Sequence, residues 1–419
     1  MATNFANLRR RLGRWVYSNV YLTAGVERSN DMVATNPREN VQLVERHITE
    51  TEPVSKPVKV WAALGGVWLA LYAYIIIGWV TGPNFRRVPA GPTQLPQWMK
   101  IVLTVYQPLG VAAALFCVYW FIIRSYRRER KVNTQALLLC VMFGILWIQD
   151  PWVSYYQPVF TFNSYMFNMG SWVANVPGWQ SIAAGHPGAM QAYPVFFLIP
   201  LYAYALFTVT LLCVFLMRRA RARWPRLSNL TLLSGCWLFA SVFALVLEGT
   251  WLRLGFYGYW EGIPALTLFH GHYYQVPVYE SALLGLWWTS FAALLYFRND
   301  RGETLAERGV SRISAGEPVK VALRLLALVG AASSIYMVAY NIPYQFFNLR
   351  TAEWPADVQK RSYFTNGICG PDTDQACPSP DLPISRQGGA HFTPNGDVAV
   401  PPGAQRPGSE TLDRFAPTP

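Results

Sequence analysis

"RRARARWPR", residues 218–226, carries five arginines in nine positions and stands between two apolar runs, 191–217 and 230–252. Each run is long enough to cross about 30 Å of hydrocarbon as a helix. A basic stretch so placed reads as a cytoplasmic loop, because the arginine excess in short loops lies on the cytoplasmic side. Two other short connections repeat the pattern, "RSYRRERK" at 124–131 and "RNDRGETLAERGVSR" at 298–312.

Working outward from these loops gives seven apolar segments, at 59–81, 101–123, 134–150, 191–217, 230–252, 278–297 and 321–342. The basic loops join the second span to the third, the fourth to the fifth and the sixth to the seventh. Alternation then puts the N-terminus inside and the C-terminus outside, and all three loops agree. The predicted fold is all-α: a polytopic membrane helix bundle of about seven transmembrane helices, set in the plasma membrane. The third span, "TQALLLCVMFGILWIQD", is short and ends in an acid, so its outer end is expected in a protein-lined cavity. Pro194 and Pro200 should kink or delay the fourth.

Composition supports this reading. Charged residues make up 14 % of the 419, against about a quarter in ordinary soluble domains. Seventeen tryptophans and twenty-three tyrosines suit a protein anchored at two lipid–water interfaces. The net charge of +12 is distributed among loops between spans, which fits anionic lipid as a partner and not nucleic acid. Residues 1–58 form a basic arm without the apolar core and small-residue cleavage site of a secretory signal. The membrane domain is expected over 59–343, with long outer loops at 151–190 and 253–277. An outer tail follows over 344–419, whose last forty residues, rich in Pro, Gly, Ser and Asp, read as irregular or disordered. No internal repeat is evident.

Of six cysteines, Cys117, Cys140, Cys213 and Cys236 fall within spans, where small buried hydrophobes are expected. Cys369 and Cys377, in "NGICGPDTDQACPSP", fall in the outer tail around a turn-forming Gly-Pro-Asp. In an oxidising compartment that pair is expected to form a disulfide, since a metal would need further ligands close by.

Several polar groups arrive at one depth near the outer face. Asp150 ends span three, Glu248 lies in "VLEGTW" near the end of span five, and His270, His272 and Glu280 flank the start of span six in "LTLFHGHYYQVPVYES". Intramembrane carboxyls are costly and usually face an interior cavity. These five are the candidate catalytic residues. Tyr155, Tyr156, Gln157, Asn163, Asn168, Trp251, Tyr257 and Asn341 are the candidate substrate-binding residues around them. Each also has a plainer reading: Asp150 ends a helix before a proline, the histidines bond to loop carbonyls, and the aromatic residues form an interfacial belt.

Three uses of this cluster are open. Imidazole and carboxylate could bind zinc or iron, although no E-x-x-H or H-E-x-x-H signature is present, and no metal site is assigned. The groups could perform general acid–base chemistry. They could relay protons in a transporter. No Walker motif, GxGxxG fingerprint, GxSxG elbow or CxxCH is present, so no cofactor is called for.

The block "IQDPWVSYYQPVFTFNSYMFNMGSWVANVPGW", with "LEGTWLRLGFYGY" and "TNGICGPD", resembles the AveC-like spirocyclase family of actinobacterial membrane proteins, over about residues 55–390. The resemblance implies spiroketal formation or dehydration on a polyketide-like molecule, with no redox cofactor. It fixes neither the substrate nor a catalytic residue set. The expected function is therefore a membrane cyclase or dehydratase acting on a polyketide-like or lipid-like substrate. The alternatives are a carrier or accessory subunit for hydrophobic lipids of the cell envelope, and a metal-dependent membrane oxidoreductase. Protein partners are left open.

Overall fold

In a computed structural model of the protein, Pro57 opens the first of the long apolar helices. The structure describes residues 57–408, apart from 183, 187–188, 261 and 349–352. The chain divides into Met1–Lys56 and Pro57–Pro419, and only the second unit is described below. Most of the basic arm expected over 1–58, and the end of the tail at 409–419, lie outside the described residues.

Six helices are long and apolar enough to cross a membrane: α1 (Pro57–Thr81), α2 (Gln97–Glu129), α4 (Val195–Arg223), α5 (Asn229–Arg253), α6 (Val278–Tyr296) and α7 (Glu317–Phe347). A seventh span is formed if α3 (Thr134–Gly144) is taken with the 3₁₀ segment Leu146–Ser154 that follows it at a bend of 49°. The short third span thus exists but is broken. Its backbone leaves helical geometry at Ile145, and the prolyl residue Pro151 cannot donate a bond back into a regular helix. Irregular backbone at such a depth is tolerated only where protein surrounds it, and seven of the nine residues of the segment are buried.

Burial sorts the helices into layers. Only 22 % of the apolar window is buried in α1, α2 and α5, against 61 % in α4 and α6. The first three therefore show broad apolar faces to the bilayer, and α4 and α6 form the centre. α1 packs on α7 at backbone contact. A Cβ at Gly65 would stand 1.9 Å from the Leu326 carbonyl oxygen, and one at Gly330 would stand 2.2 Å from that of Trp61. Small residues that let backbones approach are the usual means of joining helices in lipid, where apolar faces gain little from meeting each other.

Capping fixes the helix starts on the basic side. Asn133 accepts from the Ala136 N–H at the head of α3, and Ser228 from the Thr231 N–H at the head of α5. The 298–312 loop folds around two acids. Glu307 pairs with Arg324 on α7 at 2.7 Å and accepts from the Thr134 hydroxyl at the head of α3. Arg324 also donates to the Val132 carbonyl, so this loop ties α3 and α7 together.

Eight short strands form four antiparallel pairs: β1 (Phe160–Phe162), β2 (Ala184–His186), β3 (Ala189–Met190), β4 (Tyr257–Tyr259), β5 (Thr267–Leu268), β6 (Val276–Pro277), β7 (His391–Phe392) and β8 (Val398–Ala399). The pair that matters for the site is β1 with β4, which joins the two long loops in the register Phe160↔Tyr259, Thr161↔Gly258, Phe162↔Tyr257.

The tail backs this ribbon. The Asn366 amide donates to the Thr161 hydroxyl, and the Tyr363 carbonyl accepts from Ser164. Cys369 and Cys377 form the expected disulfide. Beyond it the chain is irregular except for the β7–β8 pair and is not detached: Arg386 donates to the Tyr156 carbonyl, and the Gln387 N–H to that of Gln180.

The basic-side loop also makes a pH-dependent contribution to stability. Glu303 is buried, which opposes its charge, but the Ser311 N–H, the Asn299 amide and the Gly309 N–H bond to it and hold its carboxyl down at about 2, from the ordinary 4.5. An unfolded chain therefore takes up this proton at higher pH than the folded one. The stabilisation is present above about 4.5 and is lost as pH falls toward 2. Wild type should be more stable than Glu303→Gln at pH 6, and the gap should close on acidification, as read from denaturant unfolding in detergent. Parallel stability curves for the two would contradict this.

Candidate active site

A small pocket of about 60 Å³ lies at the end of the bundle opposite the basic loops. Asp150, Glu248 and Tyr340 line it, with aromatic residues from both long loops. Irregular backbone aims Asp150 and Tyr340, whereas Glu248 stands on the regular helix α5.

Asp150 stands in the 3₁₀ segment after α3. Its neighbour Gln149 anchors that segment by donating to the Tyr72 hydroxyl at 2.7 Å and to the Ser333 carbonyl at 3.3 Å. Gln345 on α7 donates to the carbonyls of Trp152 and Val153 from the other side. So held, Asp150 Oδ1 accepts from the Tyr202 hydroxyl at 3.0 Å, and the Tyr202 and Tyr336 hydroxyls are 2.7 Å apart. A hydroxyl has a single proton. While Tyr202 gives its own to Asp150, Tyr336 must donate to Tyr202.

Tyr202 opens a π-helical stretch, Tyr202–Phe207, two residues after Pro200. A second π stretch, Met337–Asn341, sits just before Pro343 in α7 and carries Tyr340. Pro343 has no N–H to offer the Ala339 carbonyl four residues back, so the regular ladder fails at that turn. Such π-bulges recur at functional sites because they re-aim side chains. Here the wider turn directs the Tyr340 hydroxyl onto Glu280 Oε1, 2.7 Å away.

Glu280 is in the first turn of α6 and is 1 % exposed. Glu248, 7 % exposed, is near the end of α5 and accepts from the Tyr259 hydroxyl at 3.1 Å. Tyr257 and Tyr259 alternate with Gly258 on β4, so both rings lie on one face of the ribbon. Their cross-strand partners Phe162 and Phe160 share that face, and all four rings line the pocket. Outside the membrane helices, burial and the nearby Glu248 push both of these tyrosine hydroxyls well above the usual phenol range. They are therefore donors at any physiological pH.

Among the described residues, Asp150 Oδ2 is buried without a hydrogen-bond partner, whereas the Tyr257 hydroxyl stands against the Glu248 carboxyl. An orphan such as Asp150 Oδ2 is rare in folded proteins and calls for an explanation. Among the described residues, none that lines the pocket is basic. Nor, among those residues, do three or more His, Cys, Asp or Glu side chains converge as a metal site would require.

The structure brings together only part of the cluster expected from sequence. Asp150, Glu248, Trp251 and Tyr257 line the pocket, and Glu280 adjoins it through Tyr340. His270 and His272 do not reach it. They are exposed at the tip of the β5–β6 hairpin, which turns outward through Phe269 and Gly271 at positive φ. The His272 ring stacks on Tyr274, which also meets the Phe269 and Tyr273 rings and lies under the Arg253 guanidinium at 3.6 Å. Arg253 ends α5, so this stack caps the helix at the surface.

The amide and loop residues serve as braces. Asn168 ties Val88, Ser164 and Met166 together, and Asn163 donates to the Gly255 carbonyl. Asn341 sits against Gln149, in the network that holds the Asp150 segment. Tyr155 donates to the Pro177 carbonyl, Tyr156 is exposed, and Gln157 is buried away from the lining.

Sequence reasoning missed Tyr202, Tyr259, Tyr336 and Tyr340. Their signals were present: Tyr336 and Tyr340 are one turn apart within a span, Tyr202 follows a mid-span proline, and Tyr259 alternates with Tyr257.

The fold and this pocket define a class, a polytopic helical membrane protein with carboxyl and phenol groups enclosed at one end. A family model described as "Spirocyclase AveC-like" matches residues 129–364, more than half of the chain. The protein belongs to the AveC-like spirocyclase family, and the match spans every carboxyl and tyrosine of the pocket. Neither the curated proteins nor the solved structures contain a match to the chain.

Because Tyr202 is the sole hydrogen-bond donor to Asp150 among the described residues, its removal has a definite cost. Tyr202→Phe should destabilise the protein by about 1–3 kcal/mol, the usual cost of an unmade buried hydrogen bond. Adding Asp150→Asn should cost less than the sum of the two single changes. Thermal unfolding in detergent reads both. Strict additivity would mean that the two groups do not act together.

Proposed function

We propose that the protein is an integral membrane enzyme of the spirocyclase type, which closes or dehydrates a polyketide-like or lipid-like molecule by acid–base catalysis. The observation that carries this reading is the pairing of Asp150 and Glu248 in the lining of one aromatic pocket, with Asp150 Oδ2 unengaged among the described residues. Spiroketal closure needs one group to protonate a departing hydroxyl and another to accept the proton of the attacking hydroxyl. Two carboxyls with unlike hydrogen-bond partners supply those roles, and the protons balance over the cycle. The oxocarbenium ion formed between the two steps is a cation, which the faces of Phe160, Phe162 and Trp251 can stabilise.

The pocket's size sets a condition. About 60 Å³ holds the reacting carbon and its oxygens, not a whole polyketide, so the remainder of the substrate must lie outside the lining described. Membership of the spirocyclase family and the absence of basic groups from the lining both favour an acid-driven reaction of a neutral substrate. The carrier reading has less support, because Asp150, Glu248 and Glu280 all sit at the ends of their helices away from the basic loops. A carrier would use polar groups along the full depth. The arginine loops support a place in the plasma membrane with the pocket toward its outer face.

The test compares lipids and metabolites from a deletion strain complemented with wild type or variants, each verified as folded by its elution profile. Asp150→Asn and Glu248→Gln should each lower product by roughly 10²–10⁴-fold, the usual contribution of a positioned acid or base. His270→Ala and His272→Ala should leave it intact. Wild-type product levels from both carboxyl variants would exclude the assignment.

A further inference from the structure

At the other end of the bundle the α4–α5 connection borders a larger feature, a groove of about 1170 Å³. This exceeds the range of about 300–1,000 Å³ typical of small-molecule pockets. Its walls are apolar, with Met217 from α4 and Leu232 and Phe239 from α5. Its rim is cationic, with Arg219, Arg223 and Arg226.

The charge at that rim is unusually unbalanced. No Asp or Glu occurs in the sequence between Asp150 and Glu248. Among the described residues none of the three rim arginines has a carboxylate within ion-pair distance. By contrast, Arg221 in the same stretch is committed to the fold, donating to the Leu227 carbonyl and to Asn229 Oδ1. Those bonds fix the short turn from which Arg223 and Arg226 project. Arg219 rests over the Phe215 ring, which orients a guanidinium without neutralising it.

An apolar cleft under an unpaired arginine rim matches a ligand with an alkyl chain and an anionic head. Arginine forks suit phosphate oxygens by paired hydrogen bonds. The basic loops are expected to face the leaflet that carries the anionic lipids. We infer that the groove between α4 and α5 is a binding site for one anionic phospholipid, with an acyl chain against Leu232 and Phe239 and the phosphodiester on Arg223 and Arg226.

Gly235 gives an unusually clean test. It lines the groove, and a Cβ built there meets nothing within 4 Å. A leucine there would narrow the cleft from a position where its Cβ meets no neighbour, and glycine is a poor helix residue to begin with. Full-length protein would be delipidated in neutral detergent and its binding measured by native mass spectrometry. The probes are dioleoylphosphatidylglycerol, dioleoylphosphatidylcholine and glycerol 3-phosphate.

The protein should bind phosphatidylglycerol at least about tenfold more tightly than phosphatidylcholine, the scale set by charge-assisted bonds to phosphate. Glycerol 3-phosphate alone should not compete. Both Arg223→Gln/Arg226→Gln and Gly235→Leu should lose that preference, the first by removing charge and the second by removing space. Equal affinity for the two lipids would overturn the inference, as would an unchanged preference in either variant. Competition by glycerol 3-phosphate would show a headgroup site without a chain, which also overturns it.

Discussion

The bond from Tyr202 to Asp150 concentrates the constraint that shapes this molecule. A carboxyl placed deep in an apolar bundle must find donors there, since the desolvation it suffers is otherwise uncompensated. The protein meets this need with phenols in place of cations. Tyr202 serves Asp150, Tyr340 serves Glu280 and Tyr259 serves Glu248. A phenol satisfies an acceptor while leaving the site without positive charge, and its ring continues the apolar wall. The pocket is consequently both hydrogen-bonded and free of basic groups.

Regular helices could not deliver this arrangement. Tyr202 lies in one π stretch, Tyr340 in another, and Asp150 in a 3₁₀ segment bent 49° from the helix before it. Pro151, Pro200 and Pro343 stand inside or beside these three segments, where they break the ladder of backbone bonds. The freed backbone needs partners, and Gln345 donates to the carbonyls of Trp152 and Val153, while Gln149 ties the segment to Tyr72 and Asn341 donates to the Gln149 side chain. The ribbon of β1 and β4 then lines the pocket with four rings, and the tail braces the ribbon and its following turn through Asn366 and Tyr363. Chemistry and architecture thus share the same residues.

The bundle was readable from the chain because span length and arginine placement are properties of composition along the sequence. The short third span ending in Asp150 was visible for the same reason, and so was the cysteine pair of the tail. The carboxyls could be named because an acid in an apolar run is conspicuous. The tyrosines could not be separated from an interfacial belt, since nothing in the residue type tells a buried phenol from an anchoring one. Only backbone irregularity decides it, and Pro200 and Pro343 hinted at that irregularity without locating it. The histidines misled for the opposite reason. His270 and His272 are adjacent in sequence to a span that does reach the pocket, but Gly271 and Phe269 turn their hairpin outward. Asn163 and Asn168 were conspicuous in the quoted block because they brace its loops.

The central claim is that two carboxyls line one pocket at the end of the bundle away from the arginine loops, that a third adjoins it through Tyr340, and that a tyrosine donates to each. An experimental density map of the full-length protein in a lipid nanodisc, fine enough to resolve side chains, tests it most directly. The map should show Asp150, Glu248 and Glu280 turned inward behind the β1–β4 ribbon, with the Tyr202 hydroxyl between Asp150 and Tyr336. Carboxyls facing lipid, or a water-filled passage running from them to the arginine loops, would contradict the account.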